Sequence, residues 1–380
     1  MEARQWRGSR VWEEVKRLGK GGQSEVFLVR NSVRIADRKK HLDKLMELSG
    51  QGFNDVRAQQ FTEATLGYGR EEHPSELAAL KVHNPRAAGA DAEQQALNRL
   101  QIETKVLAQN RRGLPRLLDS NESERWIVTE YYPGGTLEDH ALKYQGNPLL
   151  ALTAFRPLVE TVAALHKDNI FHRDIKPANI FMGNGGGLIL GDFGIAFLPN
   201  LPERITFLNE SVGPRDYMPP WAETEERLEE VSGNFDAYML GKLLWCMVAG
   251  RLKLVREWYN RPEFNLTVKF QNDPKMHMIN AILDKCLHET PDKCLPRAGE
   301  LLGWVDEGLG IMRRGGQMIR DGVPRPCRVC GKGFYQASGV LGLPISVTAG
   351  YPGSWRHEGA LYAQFLTCDY CKNIELFKTS

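Results

Sequence analysis

The chain has 380 residues, 42% hydrophobic and 25% charged, with a formal net charge of +2. Such a composition belongs to an ordinary globular protein with a full core, long enough for two or three domains. The near-neutral balance argues against a partner held by bulk charge, whether nucleic acid or an acidic membrane surface.

In chain order, Met1 to Arg7 lacks an apolar core and does not read as a signal peptide. Residues 11–30 read as two strands joined by a Gly-rich turn. Residues 31–75 then break the pattern and read as an insertion. It carries one amphipathic helix between Ala36 and Leu48, with Leu42, Leu45, Met46 and Leu48 at helical spacing. A strand resumes at Glu76 to His83, followed by a helix over 91–109. Two more strands cover Arg116 to Asp119 and Trp126 to Glu130. Beyond Gly135 the pattern is helical, with helices expected near 149–167, 234–249, 276–287 and 297–311. Strands first and helices after is the α+β order. Phe235 to Gly250 is the most apolar helical stretch, but it is short and contains Lys242, so it reads as a buried helix and not a membrane span. Residues 313–326 are rich in Gly, Pro and Arg and read as a linker. The last segment, 327–380, has β-type runs at Leu343 to Thr348 and Leu361 to Thr367.

Several pieces suit phosphate chemistry. Gly19-Lys20-Gly21-Gly22-Gln23-Ser24-Glu25-Val26 is a strand–turn–strand with few side chains, which lets backbone N–H groups approach a triphosphate. Alone it is weak, because Gly-rich turns are common. Lys81 lies in the apolar run Ala78-Ala79-Leu80-Lys81, where a cation is costly unless an anion meets it. The helix 91–109 offers Glu103 for that role. Glu93 competes, but an acid at the helix start simply complements the dipole. The segment His172-Arg173-Asp174-Ile175-Lys176-Pro177-Ala178-Asn179 is the most specific. Phosphoryl transfer needs a carboxylate for the hydroxyl proton (Asp174), a cation near the transferring group (Lys176) and a side-chain oxygen for a metal (Asn179). Asp192-Phe193-Gly194, after the strand-like Leu188-Ile189-Leu190, supplies a second metal ligand.

With these motifs, residues 11–312 resemble a eukaryotic-type Ser/Thr protein kinase. The resemblance implies a bilobal fold, β-rich then helical, with ATP and Mg²⁺ as cofactors and a protein as substrate. By it, Gly19, Gly21, Gly22, Ser24 and Val26 cover the phosphates, with Ser24 standing where the pattern has its third Gly. Lys81 pairs with the α/β-phosphates and Glu103. Val26 and Ala79 sandwich the adenine, Thr129 is the gatekeeper, and Glu130 to Tyr132 form the hinge. Asp174 is the base, and Asn179 and Asp192 hold Mg²⁺. Leu107, Leu117, His172 and Phe193 form a stacked internal spine. Lys176 resembles the Ser/Thr class. Arg173 beside Asp174 implies a loop ordered by an anion, with Thr206 and Ser211 as candidate phosphosites.

The resemblance has two departures. Pro214 stands where Ser/Thr kinases have a Thr, and proline has neither a hydroxyl nor a backbone donor. Trp221 replaces the Glu of an Ala-Pro-Glu ending, and Cys294 stands at the position of its usual Arg partner. Losing both charges of a buried pair is tolerable where losing one is not. A compensated swap predicts two buried apolar groups packed near one another.

Seven cysteines are present, and four form the pairs Cys327-Arg328-Val329-Cys330 and Cys368-Asp369-Tyr370-Cys371. Two such turns make a tetrahedral S₄ site suited to Zn²⁺, in a module resembling a zinc ribbon with a longer insertion. Iron is the minor alternative. The metal substitutes for a core too small to hold alone. Docking of protein or nucleic acid is the functional alternative, supported only by a mild basic excess. Cys246 and Cys286 read as core residues on helices. An N-terminus unlike a signal peptide and the lack of a membrane span suggest a cytoplasmic protein, and a reducing compartment suggests metal before disulfide for the C-x-x-C pairs. Two other classes compete with an active kinase. A pseudokinase scaffold is expected to lose one of Lys81, Glu103, Asp174, Asn179 or Asp192, and all are present. A small-molecule phosphotransferase does not need the long 192–221 segment.

Overall fold

An antiparallel sheet of six strands, in the order β1-β2-β3-β4-β6-β5, forms the first half of the structure. Its strands are β1 (Arg4–Gln5), β2 (Trp12–Lys20), β3 (Ser24–Asn31), β4 (Leu77–His83), β5 (Leu117–Asn121) and β6 (Trp126–Glu130). The computed structural model describes residues 4–20, 24–49, 60, 77–84, 89–198, 215–223, 232–273, 275–314, 319–320, 323–324, 327, 335–344, 347–349, 355–357, 360–368 and 371–378. Its contacts divide the chain into two units, residues 1–135 with 181–205, and residues 136–180 with 206–380.

In the β-rich unit, alternation decides which face of each strand is buried. Ala78 and Leu80 point into a core with Trp12, Val29, Trp126 and Val128. Lys81 therefore points to the opposite face. The N-terminal residues close that core. Trp6 packs against it, and the Trp126 indole donates to the carbonyl of Arg7 at 3.1 Å. The short strand β1 was not evident from the sequence, because two residues carry no periodicity. β3 runs directly into helix α1 (Ser32–Ser49). None of its described side chains is buried, and Leu42 and Met46 of the expected amphipathic face are exposed. The rest of the 31–75 insertion lies outside them, apart from residue 60. Helix α2 (Ala90–Leu107) buries Leu100, Ile102, Glu103, Val106 and Leu107 on one stripe. Strands β7 (Ile180–Met182) and β8 (Leu188–Leu190) pair and lead to Asp192.

Among its described residues, the second unit is mainly helical through residue 314. It contains α3 (Pro148–Lys167), α4 (Gly233–Ala249), the short α5 (Leu266–Lys269), α6 (Met276–Cys286) and α7 (Ala298–Arg314). Helix α3 starts at Asn147, whose side chain accepts from the Leu150 N–H at 3.0 Å, with Pro148 at the first helical position. It is long and apolar enough to cross a membrane by length and composition, but it packs against α4 and α7 and most of its apolar window is buried. Helix α4 is buried along nearly all its length and approaches α6 closely at Gly241, where a Cβ would lie 2.6 Å from Cys286 Cβ. Gly250 ends α4 in the left-handed conformation, φ 65°.

Among the described residues of 319–378, the regular elements are strands. Helix α7 and the pair β9 (Ile319–Arg320) and β10 (Val323–Pro324) fall partly within the expected linker 313–326. β11 (Tyr335–Pro344), β14 (Ala360–Cys368) and β15 (Ile374–Lys378) form an antiparallel sheet, and β12 (Val347–Ala349) pairs with β13 (Trp355–His357). The single run expected over Leu343 to Thr348 is divided between β11 and β12. Pro344 ends the first, because proline cannot donate to a ladder.

Candidate active site

In the β-rich unit, register brings the nucleotide candidates to one sheet face. Val26 pairs with Lys81, Lys81 with Ile127, and Ala79 with both Leu28 and Thr129. Cross-strand partners share a face, as do residues two apart. Val26, Ala79, Lys81 and Thr129 therefore line the same side. Gly19 lies in β2 and Ser24 opens β3, while Gly21 and Gly22 lie outside the described residues.

Lys81 is the centre of this face. Its Nζ lies 2.7 Å from Glu103 Oε2 and 2.7 Å from Asp192 Oδ1. Burial alone would lower the Lys81 pKa, but the two carboxylates outweigh it and raise it. Burial pushes Glu103 upward, yet the Lys81 ammonium and His83 hold its carboxyl below the usual range. His83 Nε2 sits 3.1 Å from the same Glu103 oxygen, off the line of its N–H, which makes it a weaker partner than Lys81. The choice between Glu103 and Glu93 is thereby decided, since Glu93 is exposed in the first turn of α2. Asp192 has φ 64°, and its side chain is 43% exposed. The Glu130 side chain accepts from the Tyr132 hydroxyl at 3.0 Å and meets Arg116 at 3.5 Å. The Tyr132 ring stacks on Phe181. Leu107 and Phe193 are buried in this unit, Leu117 is half-buried, and His172 is buried in the other unit.

In the helical unit, the loop 172–179 is tied to itself. Lys176 Nζ donates to both Asp174 oxygens, at 3.0 and 2.8 Å. Asn179 Nδ2 donates to the Asp174 carbonyl and to its Oδ2, each at 2.8 Å. These bonds assign the amide nitrogen and leave Asn179 Oδ1 as the atom available to a cation. The backbone around Asp174 is held by a residue the sequence reading missed. Asp236, fully buried in the first turn of α4, accepts from the His172 N–H and the Arg173 N–H at 2.8 Å each. His166 Nδ1 accepts from the Ala298 N–H, which puts the ring proton on Nε2, 2.9 Å from Asp236 Oδ2. Burial would raise the Asp236 pKa, but His166, His172 and the Arg173 N–H hold it low. Arg173 has φ 68°, an unusual backbone that these bonds fix. The available signal was an acid one turn into the most apolar helix, which is costly to bury unless partnered.

Of the two departures, Pro214 lies outside the described residues, as do Thr206 and Ser211. Trp221 is buried and meets Tyr238 edge-on at 5.3 Å between centroids. Cys294 is buried and its thiol donates to the Cys286 carbonyl. Burial pushes the Cys294 thiol up to about 12, so both sites of the missing ion pair are uncharged. Cys246 and Cys286 are core residues, as expected.

Near the C-terminus, the sulfurs of Cys327, Cys368 and Cys371 lie within 4.8 Å of one another, and Cys327 and Cys371 are 3.7 Å apart. Cys368 ends β14, and the Cys371 N–H points at its sulfur at 3.4 Å. Cys330 lies outside the described residues.

A family model described as a protein kinase domain matches residues 62–298. The chain is 26% identical over 269 residues to the Serine/threonine-protein kinase ssp1 of Schizosaccharomyces pombe, covering 65% of this chain and 38% of that protein. It is 31% identical over 176 residues to the Serine/threonine-protein kinase PknL of Mycobacterium tuberculosis, covering 45% and 42%. It is 29% identical over 163 residues to the Serine/threonine-protein kinase chk1 of S. pombe, covering 43% and 32%. The chain thus spans well under half the length of these curated relatives.

Proposed function

Because this chain belongs to the protein kinase family, we propose that it transfers the γ-phosphoryl group of ATP to Ser or Thr hydroxyls of a protein substrate. The observation that carries the reading is Lys81, a cation bonded at once to Glu103 and Asp192 on the nucleotide-facing side of the sheet. A fold kept only for binding has no need of this arrangement together with an intact Asp174, Lys176 and Asn179.

The residues fit a magnesium nucleotide. Asp192 offers an accessible anionic oxygen and Asn179 a neutral one, both of the hard type Mg²⁺ takes. When bound, the metal neutralises charge on the phosphates. Lys81 binds the α/β-phosphates, and Glu103 keeps its ammonium in place. Gly19, Gly21, Gly22 and Ser24 cover the phosphates through the backbone. Val26 and Ala79 flank the base, Thr129 limits its depth, and the backbone of Glu130 to Tyr132 reads its edge. Asp174 takes the proton from the acceptor hydroxyl, oriented for that by Lys176 and Asn179. Lys176, and the Ser/Thr kinases among the relatives, support a Ser or Thr acceptor. The proposal extends to autophosphorylation at Thr206 or Ser211, which phosphopeptide mapping tests, and to a cytoplasmic setting.

The tail reading is a Zn²⁺ ion held by Cys327, Cys368 and Cys371 with Cys330 as the fourth thiolate. Three converging sulfurs support it, since thiolate sites of this kind select zinc or iron. Its role is structural, replacing a core that about 54 residues supply poorly.

The deciding experiment is ATP turnover with dephosphorylated casein, by the full chain and by Asp174→Ala. Removing a general base costs about 10²–10⁴-fold. Activity that survives in Asp174→Ala would refute the assignment.

A further inference from the structure

Lys242 takes no part in the chemistry described above, and its position is costly. It lies in the interior of α4, flanked by Gly241 and Leu243, and is 1% exposed. Among the described residues it has no ion-pair partner. Burial is the main influence on its ammonium and lowers its pKa to about 8. A lone ammonium is costly to bury unless hydrogen bonds compensate its lost water.

What the ammonium does is hold backbone. Its Nζ donates to the carbonyl of Asp216 and, at 3.0 Å, to the carbonyl of Leu254, with the Tyr238 ring 5.5 Å away. The same two stretches are tied at the neighbouring residues. The Tyr217 hydroxyl donates to the Leu252 carbonyl and meets Cys246 Sγ at 3.1 Å, and Cys246 is one turn along α4 from Lys242. The Asp216 carboxylate pairs with Lys253 at 2.9 Å. The turn 215–217 is thus bound to residues 252–254 at three successive positions, with Lys242 as the buried link between them and α4.

We infer that Lys242 is a positioning residue for the acceptor protein, setting the backbone of residues 215–217 so that the hydroxyl-bearing chain is presented to Asp174. This rests on the kinase reading, in which the stretch that follows Asp192-Phe193-Gly194 and ends near Trp221 meets the substrate. Lys242 itself touches neither nucleotide nor acceptor. A carbonyl left without its donor in a buried site is strongly disfavoured, so the turn shifts when the ammonium is removed. The same catalytic groups then act on an acceptor that is out of place, while water, which needs no docking, reacts as before.

The test uses the full chain with Mg²⁺ and ATP, and measures two rates on each preparation: transfer to dephosphorylated casein, and ADP release with no protein acceptor. In Lys242→Met, kcat/KM for casein is expected to fall at least tenfold, with ADP release within twofold of wild type. Lys242→Gln, which keeps an amide N–H₂ donor on a shorter, uncharged side chain, is expected to recover part of the loss. Equal proportional losses in both reactions, or no loss in either, would overturn the inference. If Lys242→Met yields no folded protein, Tyr217→Phe replaces it. That variant should lose several-fold on casein alone, and a matched change in both rates counts against the idea in the same way. A wild-type chain inert in both assays sinks the kinase reading and this inference with it. An active wild type with proportionate losses sinks this inference alone.

Discussion

His166 Nε2 lies 2.9 Å from Asp236 Oδ2, and both side chains are excluded from water. The pair is a hub. Through Asp236 it fixes the His172 and Arg173 backbone on one side, and through His166 Nδ1 it fixes the start of α7 on the other. The Arg297 guanidinium adds bonds to the His166 carbonyl and to Asn169. Asp174 is thus aimed by residues that take no part in its chemistry.

Removing the hub acid should be severe. Asp236→Ala leaves two backbone N–H groups and the His166 ring donor buried without an acceptor. A loss of about 3–5 kcal/mol is expected, as for breaking a buried charged network. Urea unfolding of the variant beside wild type measures it, and a loss under 1 kcal/mol would show that water replaces the carboxylate.

Acid should destabilise the protein through Asp236 and Glu103. Both carboxyls are held below their ordinary range, so the unfolded chain takes up these protons more readily than the folded one. Their stabilisation is complete above the unfolded values, near 4. It is lost as pH falls from there through the lower folded values. Melting temperatures from pH 7 to 3 should drop steeply in wild type and less steeply in Asp236→Asn. Parallel curves would remove Asp236 from the explanation.

Gly241 should tolerate no side chain. An added Cβ would stand 2.6 Å from Cys286 Cβ, two atoms fixed to their helices, so α4 and α6 must separate. Gly241→Ala is expected to cost about 1–3 kcal/mol. Gly299, where a Cβ meets nothing within 4 Å, supplies the control: Gly299→Ala should be neutral or slightly stabilising.

Metal analysis of the purified chain should find about one zinc, by the four-ligand rule for structural sites. Cys368→Ser and Cys330→Ser should each lose it. Chelation should raise amide exchange in β14 and β15 while leaving α4 protected. Full metal content in Cys330→Ser would replace the proposed fourth ligand with another group.

The chemistry-bearing residues were legible where they lie close together in the chain. His172 to Asn179 carries its base, cation and amide within eight residues, and the loop bonds among them are local. Strand and helix periodicity placed the main elements of both units to within a few residues, because burial on one face repeats at 2 or 3.6. Two-residue strands such as β1, and the break at Pro344, fell below what periodicity resolves.

Tertiary structure decided the rest. In the sequence the helix dipole favours Glu103 over Glu93, and packing shows the contact itself: Glu103 meets Lys81 across a separation of 22 residues, because α2 presents that face to the sheet. Asp236 reaches His172 across 64 residues, and Lys242 reaches Asp216 across 26. In the sequence each is a charged residue in an apolar helix, a sign of cost without a sign of partner. The partner is set by how distant segments pack, and burial then makes the bond matter, since a lone charge in that position would unfold the element carrying it.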